Sequence, residues 1–84
     1  MTLYCAIDLH STNNVPVVID EDDKVLLQKR LPNDLNTVVQ ALSPFKNSLQ
    51  SVAVESTFNW YWLINGLNEN GFSTALVNPA AVKQ

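Results

Sequence analysis

The spacing of apolar positions changes period along this chain. Leu3 to Leu9, LYCAIDL, is a short apolar run holding one acid and predicts a buried strand. Val15 to Ile19, VPVVI, predicts a second, with Pro16 near its start, where a missing N–H is tolerated. Asp20 to Asp23, DEDD, resists burial and predicts a hairpin turn into a third strand, Lys24 to Arg30, KVLLQKR. These acids lack the spacing and the glycine of a calcium loop, so a solvated turn is the stronger reading. Beyond Pro32, Leu35, Val38, Val39 and Leu42 recur at helical spacing, with Asn33 or Asp34 as N-cap and Ser43-Pro44 ending or kinking the helix. Ser51 to Glu55 returns to a short strand-like run. Asn59 is then placed to cap a second helix with the stripe Trp60, Leu63, Ile64 and Leu67, stopped by Asn70-Gly71 in a left-handed cap. Ser73 to Val77, STALV, predicts a fifth strand, closed by Asn78-Pro79.

The order is therefore β-β-β-α-β-α-β. Strands joined through helices pair in parallel with right-handed crossovers, whereas the tightly linked first three pair antiparallel. The expected fold is a mixed five-stranded α/β sheet of ribonuclease H-like (RuvC-like) arrangement, with the first strand central and beside the fourth.

Composition narrows the functional classes. Eighty-four residues allow one domain, near the size where apolar burial barely offsets chain entropy. With 46% hydrophobic and 15% charged residues, the chain lacks the signature of disorder. A net charge of −3 with five Lys plus Arg gives no electrostatic footprint for a phosphate backbone. The one cysteine, Cys5, sits among apolar neighbours and reads as a buried thiol of a reducing compartment. No run approaches the ~20 apolar residues of a membrane span, and the N-terminus lacks a signal-peptide pattern. A bacterial-type cytoplasmic protein is expected.

The candidate chemistry lies in two acids. Side chains alternate faces along a strand, so Asp8 shares a face with Ala6, and Glu55 shares one with Ala53. In adjacent parallel strands Asp8 and Glu55 project near each other, each preceded on its face by an alanine that leaves space. Paired carboxylates repel, and a divalent cation between them relieves the cost. Hard oxygen ligands suit Mg2+ or Mn2+, and acids at strand ends suit two-metal phosphoryl transfer. Such sites need three or four carboxylates. Glu69, near a helix end, reads as solvated, and nothing else after Glu55 supplies a third.

Three blocks resemble one family. AIDLH, Ala6 to His10, resembles the G-I-D-x-H opening of DEDD (RuvC-like) transposases of the insertion-sequence family numbered one hundred and ten, to which the pilin-gene invertases are related. VAVESTFNWYWL, Val52 to Leu63, resembles the V-x-E-[AS]-T-G-x-[YW]-x-x-L block, and GFSTALVNPAAVKQ, Gly71 to Gln84, the G-x-x-V-x-x-V-N-P-x-x-V-K block. Ala6, Ser11 and Phe58 stand where the family has Gly, Lys and Gly. The resemblance implies a metal-dependent DNA recombinase that cleaves and joins strands in transposition, with Asp8 and Glu55 as its first two catalytic acids and metal ligands. It implies two further aspartates and a serine-bearing domain outside this sequence, so residues 1–84 read as the front half of a catalytic domain. On that reading the isolated chain is inert and holds Mg2+ or Mn2+ only weakly. DNA and a structured guide RNA are the partners implied.

Supporting roles are open to His10, close to Asp8, and to Thr57, although Thr57 and Ser56 also read as polar residues of a strand-to-helix turn. Lys83 is a weak nucleic-acid contact. Tyr61 and Trp62, beside the helical stripe, suit packing against other parts or a second copy. Two alternatives stand beside the transposase reading. One is a non-catalytic domain that dimerises through its sheet edge or these aromatics. The other is an actin-like kinase lobe, which needs glycines after the strand-end Asp that DLHSTNN does not have.

Overall fold

The structure is a computed structural model and describes residues 2–56 and 59–77. Its elements are β1 (Leu3–Leu9), β2 (Asn13–Ile19), β3 (Val25–Gln28), β4 (Leu31–Pro32), α1 (Leu35–Leu42), a 3-10 turn (Ser43–Phe45), β5 (Leu49–Glu55), α2 (Tyr61–Glu69) and β6 (Thr74–Val77). One mixed sheet runs β3-β2-β1-β5-β6, with the short β4 also paired to β2. β1 is central, antiparallel to β2 and parallel to β5, as the ribonuclease H-like arrangement requires.

One face of the sheet carries the core. Leu3, Cys5, Ile7 and Leu9 of β1, Val18 of β2, and Val52 and Val54 of β5 are buried against Val38 and Leu42 of α1 and Leu63, Ile64 and Leu67 of α2. Tyr4, Ala6 and Asp8 lie on the other face and are exposed. This strict two-residue period makes register decisive, because a one-residue slip would exchange core and surface.

Several boundaries differ from the sequence expectation for local reasons. The third strand ends at Gln28 instead of Arg30, and Leu31-Pro32 then returns to pair with Asn13 and Asn14, which takes Leu31 to 4% exposure. β5 starts two residues early because Leu3 N–H bonds Ser48 O and Leu3 pairs with Leu49. Asp34, not Asn33, caps α1: its carboxylate accepts from Thr37 N–H at 3.0 Å and Thr37 Oγ1 at 2.8 Å. Asn59 does not cap α2. Trp60 occupies the cap position without a side-chain bond, its carbonyl accepting from both Leu63 and Ile64, and its ring stacks on Tyr61 at 4.2 Å. The acidic turn is as expected, with Asp20 Oδ1 accepting from the N–H groups of Asp22 and Lys24. Gly71, at φ 87°, supplies the left-handed stop after α2.

Cys5 is a buried free thiol. Desolvation by burial pushes its pKa from the ordinary 9.0 up to about 12, opposed by a hydrogen bond with the Val17 backbone. The folded chain thus keeps a proton that the unfolded chain releases above pH 9.0. Stability from this group is complete below that pH and is lost as pH rises towards about 12. Denaturant titrations across this window should show a falling stability in the parent that a Cys5→Ala variant lacks.

Candidate functional site

Strand β1 ends in Asp8-Leu9 and β5 in Glu55, and the two strands run parallel in one register. Asp8 is the direct partner of Glu55, and Ala6 of Ala53. Neighbouring strands lie about 4.8 Å apart, so side chains at matched positions of one face stand side by side. Both acids are exposed, on the face away from the helices. The pairing continues outwards: Val15 pairs with Asp8 and Val77 with Glu55, and in the row before them Val17, Ala6, Ala53 and Ala75 lie across four strands. The expected alanine below each acid is therefore part of a row of three. Ala75 could have been found by extending the alternation argument to STALV.

His10 stands beside the pair. Its Nε2 lies 3.2 Å from Asp8 Oδ2, with both side chains about half exposed, 53% and 56%. Its backbone is held at both ends, N–H to Asn13 O at 2.8 Å and carbonyl from Asn33 Nδ2 at 2.9 Å. The amide of Asn14, fully buried on β2, donates in turn to Asn33 Oδ1 at 3.0 Å and to Pro32 O at 3.2 Å. Neither asparagine stands out in the sequence as part of the site: Asn33 is there one of two candidate N-caps for α1, and Asn14 carries no signal of its own.

Two hard carboxylates at adjacent strand ends, with small side chains beside them, suit a divalent cation of the magnesium type. The donor set is short: among the described residues no group of three or more His, Cys, Asp or Glu side chains gathers in a metal-holding cluster. Glu69 closes the last turn of α2 and is exposed, as expected. Ser56 is buried at the end of β5, its N–H bonded to Val77 O. Thr57, Phe58, Lys83 and the Asn78-Pro79 closure lie outside the described residues.

Residues 5–84 match the DEDD transposase family of the insertion-sequence type numbered one hundred and ten, described as a transposase. The chain belongs to that family. Members are DNA-cleaving enzymes that act in transposition, and the family's nuclease-like chemistry uses divalent metal ions. Among solved structures, this transposase chain is similar to T. thermophilus RuvC in complex with a Holliday junction substrate, with a TM-score of 0.74, 17% identity, and coverage of 100% of this chain and 69% of RuvC. That likeness establishes the RuvC-like, ribonuclease H-type fold. An Aquifex aeolicus Ppx/GppA phosphatase is a remoter neighbour, at TM-score 0.48 and 12% identity over 94% of this chain and 36% of its own. No curated protein sequence matches. Among the described residues no helix is long and apolar enough to cross a membrane.

Proposed function

We propose that Asp8 and Glu55 are the first two metal-holding acids of this transposase, and that residues 1–84 form the front half of its catalytic domain. The observation that carries the reading is the direct Asp8–Glu55 pairing on the uncovered face of the sheet. When bound, Mg2+ or Mn2+ neutralises the facing carboxylates and supplies an activated oxygen for phosphodiester cleavage. The chain's own part is to present two oxygen donors at the ends of rigid strands, to leave space below them with the small side chains of Ala6 and Ala53, and to hold one Asp8 oxygen through His10. With a net charge of −3, the chain adds repulsion of DNA phosphates to an incomplete ligand set. On this reading it binds metal weakly and does not cleave alone.

Titration of the 84-residue chain with millimolar Mn2+ tests the site. Paramagnetic broadening of NMR signals should appear first at Asp8, Glu55 and their neighbours, and broadening confined to the Asp20–Asp23 turn would overturn the assignment. Mg2+-dependent nicking or joining of DNA by this chain alone would overturn the predicted inertness. The buried reduced thiol fits a cytoplasmic bacterial setting. DNA and a structured guide RNA, implied by the resemblance, are proposed as partners of the full transposase.

A second reading, self-association, rests on exposed sheet edges and one helical ring: Val25 and Leu26 on β3 are 50% and 37% exposed, Leu76 on β6 41%, and Tyr61 at the start of α2 61%. Trp62, by contrast, is partly buried against the core. A monomer in sedimentation at high concentration would remove this reading.

A further inference from the structure

The β1–β2 turn is tied to the rest of the fold by a chain of hydrogen bonds ending at the candidate acid. Asn14 is fully buried, yet its Oδ1 has no hydrogen-bond partner among the described residues. Leaving such an atom unpaired costs stability, so a buried asparagine here needs a reason that packing does not supply. Its amide N–H groups go to Pro32 O and Asn33 Oδ1, and the Asn33 amide goes to the His10 carbonyl. These bonds join β4 and the segment after it to His10, whose imidazole reaches Asp8 Oδ2. An exposed histidine on a free turn would sample several rotamers and leave Asp8 in most of them. Fixing the His10 backbone at N–H and C=O holds the point from which the imidazole extends, so that the rotamer that meets Asp8 stays within reach of it.

We infer that Asn14 and Asn33 are positioning residues for the candidate carboxylate site, holding the backbone of His10 so that its imidazole stays on Asp8. The inference rests on the reading of Asp8 as a metal ligand. Hydrogen-bond partners of ligating carboxylates tune metal affinity as well as orientation. Asn14 and Asn33 thus act on Asp8 only through His10, and that dependence separates them from residues that merely brace the fold.

The test uses Asn33→Ala, because Asn33 lies outside the helices and strands and is only half-buried, whereas Asn14→Ala removes a buried side chain from a strand. Mn2+ affinity, read from broadening at Asp8 and Glu55, is compared in the parent, Asn33→Ala, His10→Ala and the double variant. Each single substitution should weaken binding about tenfold, the low end of outer-shell effects, and the double variant should lose no more than either single one. Full additivity, or an Asn33→Ala variant with parental affinity, would overturn the inference. A metal-free readout keeps the two readings apart. The imidazole 15N signals of His10 should show one dominant tautomer in the parent and a mixture in Asn33→Ala. Unchanged ring signals would sink the positioning role even where the metal site stands. A parent with no broadening at Asp8 would remove the metal reading, and the ring signals would still decide whether Asn33 holds His10.

Discussion

Asp8→Asn is expected to abolish detectable Mn2+ binding while the chain stays folded, its thermal midpoint unchanged or slightly raised. The substitution removes one of two carboxylates, so the loss should exceed the ~10–100-fold typical of an outer-shell partner. It breaks little else. Asp8 is about half exposed, and its side-chain partner His10, with Nε2 at 3.2 Å, can still meet the amide oxygen of an asparagine. Like charges directly opposite across two strands are destabilising, so in the metal-free chain one acid fewer is neutral to favourable. Glu55→Gln should behave alike in affinity while leaving the Asp8–His10 contact intact. A binding loss accompanied by unfolding would identify the acids as structural, and parental affinity in both variants would place the ligands elsewhere. The opposed signs for binding and stability belong to groups held together for their chemistry.

Much of this arrangement is legible in the sequence because it rests on period. LYCAIDL and SVAVE each alternate cleanly once read as strands, and a parallel neighbour relation then puts Asp8 beside Glu55 without knowledge of any contact. The family blocks point to the same two residues. What escaped is what depends on tertiary context. Leu31-Pro32 is too short to show a period, and pairs with β2 because Leu31 has a place in the core. Asn59 is a good cap by propensity, but the first turn of α2 closes on the Trp60 carbonyl one residue later. The Asn14–Asn33–His10 chain spans residues 18, 19 and 23 apart in sequence, and no local rule distinguishes a buried asparagine that braces a turn from one that merely forms it.

The same alternation makes Val54→Asp and Ala53→Asp a sharp pair, because adjacent residues of one strand should respond oppositely. Val54 is fully buried under the helices, in register with Ile7. An aspartate there would sit in the apolar core cluster, and the effective penalty for an unpaired buried ion is several kcal/mol. A domain of this length has a total stability of about 4–13 kcal/mol at ~0.05–0.15 kcal/mol per residue. Val54→Asp should therefore unfold the chain or leave it marginal, with collapsed NMR dispersion and loss of a cooperative denaturant transition. Ala53 is half-buried on the uncovered face beside Ala6 and Ala75, where a carboxylate can reach water, so the cost should be about 1 kcal/mol, the centre of the range for point substitutions. Ala53→Asp also puts a third acid on the face that carries Asp8 and Glu55, and tighter Mn2+ binding is the expected sign. Should Ala53→Asp unfold the chain while Val54→Asp does not, β5 would be turned over relative to β1 and the two acids would not share a surface.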